Sequence, residues 1–195
     1  MEKRIKIKTI QVDERATEDF WKNRKINWNT SYFNEHTHRD QIIKVLKGLK
    51  FDSVLEVGCG AGKNLDKIRK EFGVKVLGID INVDAVKETS RHSIYAKIGM
   101  VEDIDYPNKS VDLLLTDAML IYVPPEKIKI AVSEMIRVAR KYIIMCEWHN
   151  NKDKFDGHWV YSYSDLFNKY RKKFTKIIDW GGGWSDYGNI IVVIL

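Results

Sequence analysis

Hydrophobic and polar positions follow one another in blocks along the chain, and these blocks predict strands and helices in turn. Short apolar runs are typical of buried strands, whereas apolar residues three or four positions apart indicate amphipathic helices. The apolar runs predict strands at 53–57, 74–80, 92–99, 111–120, 141–148, 173–180 and 189–195. The segments between them predict helices within 38–50 and at 63–72, 83–90, 124–140 and 164–172.

This order of elements predicts an α/β fold in one domain. Strands that alternate with helices form a mainly parallel sheet with helices on both faces. The last two strands are joined by the short segment "GGGWSDYG", so they should pair antiparallel. Pro124 and Pro125 suit the first turn of the helix that follows them. At 195 residues we expect a single domain, 1–195, with an N-terminal extension or lid at 1–35 and a core at 36–195.

Composition and charge exclude several classes of protein. Hydrophobic residues make up 44% and charged residues 31%, and no apolar run approaches the roughly 20 residues that span a bilayer. We expect a cytoplasmic protein with no membrane partner. Cys59 and Cys146 are the two cysteines, so neither a disulfide framework nor a metal centre is predicted. The net charge of +6, concentrated at 1–8 and 169–176, leaves nucleic acid as a less favoured partner.

The stretch "SVLEVGCGAGKNL", residues 53–65, carries the main candidate chemistry. A predicted strand runs into a glycine-rich turn and then a helix, where backbone amides can approach a ligand. A phosphate-binding P-loop is disfavoured, because Val57 and Asn64 stand where it needs Gly and Ser or Thr. A nicotinamide dinucleotide site is disfavoured as well, because Lys63 stands where its third glycine belongs.

Two acidic residues favour a positively charged ligand instead. Glu56 directly precedes the glycine turn, where it would repel a pyrophosphate but attract the sulfonium and ammonium groups of S-adenosylmethionine. Asp80 ends the second strand about 20 residues past the turn, where an acidic side chain accepts hydrogen bonds from ribose hydroxyls. The alternative for Asp80 is a helix cap before Val83.

With these features the chain resembles the class I S-adenosylmethionine-dependent methyltransferases. The resemblance rests on "VLEVGCGAG" at 54–62, "GIDIN" at 78–82 and "EDIDYPNKSVDLLLTDAMLIYVPPE" at 102–126. It implies a Rossmann-like seven-stranded sheet in the order 3-2-1-4-5-7-6, with the last strand antiparallel. It also implies S-adenosyl-L-methionine as cofactor and a transferase activity.

The resemblance further implies roles for individual residues. The methionine end of the cofactor would be held around the glycine turn, the ribose and adenine after the second and third strands, and the methyl group beside the end of the fourth strand. The residues so assigned are Glu56, Gly58, Cys59, Gly60, Asn64, Asp80, Ile81, Val101, Glu102 and Thr116. Met100 departs from the pattern, since many relatives have an Asp there.

The methyl acceptor is predicted to be a small polar molecule. The fourth strand ends in "TDAM", not in the Asn/Asp-Pro-Pro-aromatic motif of adenine- and glutamine-directed relatives. A weaker resemblance to methylases associated with pseudaminic acid biosynthesis rests on "FWKNR" at 20–24 and "CEWHNNKDKFDGHWV" at 146–160, and it implies a sugar or similar acceptor. The alternatives are an RNA methyltransferase, or a cofactor-binding protein without turnover.

Three residues are candidates for catalysis, and two aromatic groups are candidates for binding. Imidazole titrates in the range of a general base, which makes His149 and His158 candidates, and Asp117, together with Glu147, is placed to orient an amine or hydroxyl. Aromatic residues of the leader predict either a lid or a permanently packed flap: Phe20, Trp21, Trp28, Tyr32 and Phe33. A second group predicts an acceptor wall: Trp148, Trp159, Tyr161, Trp180 and Trp184.

Overall fold

The computed structural model of the chain describes residues 17–31, 37–149, 154–155, 158–170, 173–179 and 188–195. The strands are β1 Ser53–Val57, β2 Lys75–Asp80, β3 Tyr95–Ile98, β4 Val111–Asp117, β5 Ala139–Trp148, β6 Lys154–Phe155, β7 His158–Trp159, β8 Lys173–Asp179 and β9 Gly188–Ile194. The helices are α1 Glu18–Asn23, α2 Trp28–Ser31, α3 Thr37–Leu46, α4 Lys63–Phe72, α5 Val83–Arg91, α6 Ile128–Val138 and α7 Tyr163–Asn168, with a 3-10 turn at Leu120–Tyr122.

Seven strands form one sheet in the order β3-β2-β1-β4-β5-β9-β8. The first five strands in that order pair in parallel, and β9 pairs antiparallel with both of its neighbours. The short strands β6 and β7 form a separate antiparallel pair. Counting only the strands of the main sheet, β8 is the sixth and β9 the seventh. The predicted order, with an antiparallel last strand, is therefore confirmed.

The core lies on both faces of the sheet, which explains why the strands are continuous apolar runs. In β4, Leu114 packs in the cluster that contains α6 and α7, while Leu113 and Leu115 pack in the cluster that contains α3 and α4. All three leucines are fully buried. Packing against helices on both faces therefore holds β4 in a fixed position. Its carboxyl end carries the candidate site residues Thr116 and Asp117.

Helix α4 has the predicted bounds because a glycine in left-handed conformation stands at each end. Gly62 has φ 74° and Gly73 has φ 67°, a region that side-chain-bearing residues rarely adopt. The predicted place of the proline pair is wrong. The Pro124 carbonyl accepts from the amides of Lys127 and Ile128, so a separate turn precedes α6, which begins at Ile128.

Other boundaries differ from the prediction by a few residues. Helix α6 ends at Val138, and Ala139 already belongs to β5, whereas the prediction continued the helix to residue 140. The β6–β7 hairpin was not predicted, because strands of two residues carry no periodic pattern. The predicted turn at 181–187 lies outside the described residues. In the described part of the chain, no helix has both the length and the apolar character that a membrane span requires.

Candidate active site

A cavity of about 780 Å³ lies at the carboxyl-terminal edge of the parallel strands. Loops that follow parallel strands meet at this edge, which is where open α/β sheets bind ligands. Residues 17–31, called the strap below, close one side of the cavity through Trp21 and Trp28. The lining includes these predicted residues: Glu56, Gly58, Cys59, Gly60, Asn64, Asp80, Ile81, Val101, Glu102 and Asp117.

The glycine turn after β1 has most of its amides engaged within the protein. The amides of Gly58 and Cys59 donate to the Ile79 carbonyl at 2.8 and 2.9 Å. The amide of Gly60 donates to Asp80 Oδ2 at 2.8 Å. A pyrophosphate needs such amides as donors, so this turn is poorly equipped for a dinucleotide. The geometry supports the same choice of ligand that Glu56 indicates in the sequence.

Cys59 contributes backbone to the cavity, while its side chain packs under the turn. A Cβ atom added to Gly78 would lie 2.7 Å from Cys59 Sγ, so the thiol fills the space above that glycine. Burial raises the pKa of the Cys59 thiol well above its ordinary value. The thiol is therefore protonated at neutral pH and is unsuited to act as a nucleophile.

Asp80 is 8% exposed and holds the glycine turn in place. Its Oδ1 accepts from the Asn82 amide at 2.8 Å, and its Oδ2 accepts from Gly60. Burial raises its pKa, although these amides favour the charged form. A carboxylate oxygen has a second lone pair, so Asp80 can still accept from a ligand hydroxyl. The alternative that Asp80 caps α5 is wrong, because Asn82 is the cap and accepts from the Ala85 amide.

A polar network joins the ends of β1 and β4. Asn64 Nδ2 donates to Glu56 Oε1 at 2.7 Å and to Asp117 Oδ2 at 2.9 Å, so one amide group bridges two carboxyl groups. Asn64 Oδ1 accepts from Arg39 Nε at 3.0 Å. Sequence reasoning missed Arg39, because it lies on α3 far from the motifs and no local pattern identifies it.

Glu56 carries an unsatisfied hydrogen-bond acceptor in this network. Its side chain is 2% exposed, and its Oε2 has no hydrogen-bond partner among the described residues. Burial is the main reason that the pKa of Glu56 is raised well above its ordinary value. A ligand ammonium beside Oε2 would supply both a hydrogen bond and a countercharge. The residues therefore fit the cationic methionine end of S-adenosylmethionine.

The turn after β4 forms the adjoining wall and is held under strain. Ala118 has φ 52°, a conformation that costs on the order of 1 kcal/mol or more for a residue with a side chain. Its amide donates to the Cys146 carbonyl at 2.8 Å. Met119 then packs onto the glycine turn, since a Cβ atom on Gly58 would lie 2.5 Å from Met119 Cγ. Thr116 is fully buried below this wall and is not among the lining residues.

Glu147 supports the same turn from β5 and lies outside the cavity lining. It is fully buried, and its Oε1 accepts from the amides of Met119 and Leu120, each at 3.1 Å. Burial raises the pKa of Glu147 to about 8. The carboxyl group therefore fixes the position of the wall and does not itself touch a ligand in the cavity.

Of the three candidate catalytic residues, Asp117 lines the cavity and the two histidines do not. His149 Nδ1 accepts from the Tyr163 amide at 3.2 Å, and burial lowers the pKa of the imidazole. His158 is 5% exposed and packs edge to face against Tyr122 and Trp148, with ring centroids 5.2 and 5.3 Å away. A role as base for either histidine stays a prediction.

Of the predicted aromatic acceptor wall, Trp159 lines the cavity. Tyr161 instead donates through its hydroxyl to the Val123 carbonyl, and Trp148 is buried in a cluster with Ile121. Trp180 and Trp184 lie outside the described residues, as do Tyr32 and Phe33 of the leader.

The strap is attached on both sides of the cavity. On the β2 side, Asn82 Nδ2 donates to the carbonyl oxygens of Trp21 and Arg24 at 2.8 and 2.9 Å. On the β4 side, Lys127 pairs with Glu18 at 2.7 Å. These contacts hold the strap across the cavity and connect it to the loop that follows Asp80.

Trp28 seals the strap over the glycine turn. Its side chain is 6% exposed, and a Cβ atom on Gly60 would lie 3.8 Å from its ring. It packs with Ala61 and Ala85, so the strap shares a small apolar cluster with α5 and with the turn. Whether the strap acts as a moving lid stays a prediction.

The sheet order, the glycine turn that follows Glu56 and the acidic end of β2 are those that the resemblance to class I S-adenosylmethionine-dependent methyltransferases implies. Residues 54–142 match the family described as "Methyltransferase domain". The matched segment and the sheet order are therefore similar to those of methyltransferases, and Glu56 and Asp80 fit S-adenosyl-L-methionine as a cofactor.

Solved structures of methyltransferases share the fold. Magnesium protoporphyrin IX methyltransferase from Synechocystis PCC 6803, with bound SAM, is 13% identical with a TM-score of 0.72, covering 96% of this chain and 99% of that chain. Geranyl diphosphate C-methyltransferase from Streptomyces coelicolor is 11% identical with a TM-score of 0.65, covering 80% and 77%. A SAM dependent methyltransferase from Aquifex aeolicus is 20% identical with a TM-score of 0.62, covering 87% and 99%.

A curated relative matches over a shorter segment. An uncharacterized protein from Haemophilus influenzae is 26% identical over 95 residues, which is 45% of this chain and 38% of that protein. The chain therefore matches well under half of the length of this relative.

Proposed function

We propose that the protein transfers the methyl group of S-adenosylmethionine to an oxygen or nitrogen atom of a small polar molecule. The observation that carries this proposal is the strap, which crosses the cavity and is tied to both sides of it by Asn82 and Lys127. An acceptor must share the remaining space of a cavity of about 780 Å³ with the cofactor. A small molecule meets that condition more readily than a folded macromolecule.

The residues around the cavity divide the work of binding and orientation. The cofactor supplies an electrophilic methyl group on a sulfonium centre. Glu56 binds the ammonium group through its unpartnered oxygen, and Asp80 accepts from the ribose hydroxyls. Asp117 orients the acceptor beside the end of β4. In-line displacement needs little more than this, because positioning of the reacting groups and exclusion of water supply much of the rate.

Two alternatives to a small-molecule methyltransferase each have a separate observation in their favour. The RNA methyltransferase alternative rests on the basic stretches at 1–8 and 169–176; the side chains of 1–8 and 171–176 lie outside those that the structure describes. A cofactor-binding protein without turnover is consistent with the position of both histidines outside the cavity lining. The sugar acceptor implied by the weaker resemblance and the cytoplasmic location both stay predictions.

Calorimetric titration with S-adenosylhomocysteine tests the cofactor site. We expect Asp80→Asn to weaken binding about tenfold or more, because hydrogen bonds to a charged acceptor contribute about 1.5 to 3 kcal/mol. Asp105→Asn is the matched control, since the Asp105 side chain is 92% exposed and pairs with Lys97. Equal affinities of wild type and Asp80→Asn would remove the ribose assignment.

Turnover needs its own measurement, because binding alone does not separate an enzyme from a binding protein. The protein is incubated with methyl-labelled S-adenosylmethionine and either a small-molecule extract or total RNA. We expect label in the small-molecule fraction. Label in the RNA fraction would favour the first alternative, and cofactor binding with no transfer to either fraction would favour the second.

A further inference from the structure

The cavity has the opposite sign of charge to the chain as a whole. The chain carries +6, yet among the described residues three cationic side chains line the cavity, those of Arg39, Lys63 and Lys127, against six carboxyl groups. The carboxyl groups are those of Glu18, Glu56, Asp80, Glu102, Asp117 and Glu126.

Carboxyl groups still outnumber cations in the cavity when Glu56 is left out of the count and when the charge of the bound cofactor is added. Glu56 is left out of the balance because its buried carboxyl group is assigned to the cofactor ammonium, and five carboxyl groups then face three cations among the described residues. S-adenosylmethionine carries a sulfonium, an ammonium and a carboxylate, which together add one positive charge. The filled cavity therefore still favours a second cation and repels an anion.

Aromatic rings line the cavity together with Asp117 and the turn that follows β4. The rings of Trp21 and Tyr122 lie 4.6 Å apart, with an angle of 54° between their planes. Trp159 lines the cavity next to His158, whose ring lies 5.2 Å from that of Tyr122. Faces of Trp and Tyr attract cations and stack with planar or apolar groups.

We propose that the methyl acceptor is a small amine with an aromatic or other apolar body, bound as a cation between Asp117 and the rings of Trp21, Tyr122 and Trp159. This proposal rests on the proposed function and narrows its acceptor from oxygen or nitrogen to nitrogen.

Methyl transfer to such an amine needs only a proton acceptor and the bound cofactor. The bound ammonium gives one proton to the Asp117 carboxylate, which passes it to solvent, and this frees the nitrogen lone pair. The lone pair forms an N–C bond to the methyl carbon while the C–S bond breaks. The electron pair of that bond stays on sulfur, which becomes a neutral thioether. The products are an N-methylated ammonium and S-adenosylhomocysteine.

Three probes of similar size that differ in charge test the proposal. Protein saturated with S-adenosylhomocysteine is titrated calorimetrically with phenethylamine, phenylethanol and phenylacetate, and separately with methyl glucoside as a sugar. We expect phenethylamine to bind about tenfold tighter than phenylethanol, which is the ratio given by one added cation–aromatic or cation–carboxylate contact. Phenylacetate and methyl glucoside should bind more weakly still.

A substitution at Asp117 then tests whether this residue causes the preference for a cationic ligand. Asp117→Asn keeps the size of the side chain and removes its charge, so the preference for phenethylamine over phenylethanol should fall to near equality. Asp105→Asn makes the same chemical change on an exposed side chain and should leave the preference intact. The affinity of each variant for S-adenosylhomocysteine reports whether the fold and the cofactor site persist.

The outcomes separate the two proposals. Phenylacetate or methyl glucoside binding as tightly as phenethylamine, or no binding of phenethylamine at millimolar concentration, overturns the amine acceptor while cofactor binding still stands. An unchanged charge preference in Asp117→Asn overturns the assigned site. Failure of the wild-type protein to bind S-adenosylhomocysteine would instead contradict the proposed function.

Discussion

Burial determines what each carboxyl group near the cavity does. Glu56 and Glu147 are both almost fully buried and both have one oxygen without a partner among the described residues. Glu56 lines the cavity and can be completed by a ligand, whereas Glu147 lies outside the lining and supports a wall. Two glutamates that are buried to a similar extent thus have different roles: Glu56 is available to a ligand, and Glu147 holds the turn after β4 in position.

Glu147 should make stability depend on pH. Its pKa is about 8 in the fold against an ordinary 4.5, so the folded protein holds this proton more tightly than the unfolded chain does. The stabilisation is fully present below about pH 4.5 and is lost as pH rises towards 8, by up to about 1.4 kcal/mol per pH unit. Glu147→Gln keeps an oxygen for both amides and removes the titration, so its stability should not fall in this way.

Denaturant unfolding at several pH values between about 5 and 8 measures this difference. The free energy of unfolding of wild type, relative to Glu147→Gln, should decrease across that range. Glu71→Gln, at an exposed ion pair with Lys47, is the control and should follow wild type. Parallel profiles of wild type and Glu147→Gln would contradict the expectation.

The sequence predicted the position of some site residues correctly and missed others. Glu56 and Asp80 stand at fixed distances from the glycine turn, so a local pattern was enough to place both in the cavity. Arg39 reaches Asn64 from α3 across 25 residues of chain, and no local pattern predicts such a contact. His149 and His158 were chosen for their titration range, which says nothing about whether an imidazole lines the cavity.

At the scale of elements, local signals predicted strands and helices well where glycines or apolar runs mark their ends. β1 and α4 have the predicted bounds, because burial defines the strand and left-handed glycines stop the helix. The start of α6 was wrong because the proline pair forms a turn of its own. The sequence predicted the strap as a lid or a packed flap, but not its anchors, since Asn82 and Lys127 are far away in the chain.

Asn82 joins two elements, and two substitutions can separate its roles. Its Oδ1 caps α5, and its Nδ2 holds the strap at Trp21 and Arg24. Asn82→Ser keeps a capping oxygen but loses at least one of the two strap contacts, so S-adenosylhomocysteine should dissociate several times faster, with a smaller loss of stability than in Asn82→Ala. Asn82→Ala loses the cap as well and should also be destabilised by about 1 kcal/mol.

Stopped-flow dissociation of S-adenosylhomocysteine and denaturant unfolding supply the two readouts. The serine variant is informative because its hydroxyl can still cap α5 but cannot donate to two carbonyl oxygens at once. A wild-type dissociation rate in Asn82→Ser would show that the strap does not retain the cofactor.

At the scale of the whole molecule, the alternation of strands and helices predicted a mainly parallel sheet with helices on both faces, whereas the strand order came from the resemblance to the class I methyltransferases. The antiparallel β9 was predictable because a short connection cannot return a chain to a parallel neighbour. The charge distribution was not predictable in the same way. A chain of net charge +6 has a cavity with more acids than bases, since folding brings together carboxyl groups that are far apart in the sequence.

This charge distribution predicts how the protein meets RNA. The basic chain should attract RNA weakly at low salt, and the attraction should fall steeply as salt rises, because it comes from released counterions. The acidic cavity under the strap should repel the phosphates of any strand that approaches the cofactor. Mobility-shift assays at about 50 and 200 mM salt measure the first effect, and transfer of labelled methyl groups to RNA measures the second. We expect salt-sensitive binding without methylation, whereas salt-resistant binding together with labelled RNA would place the acceptor among nucleic acids.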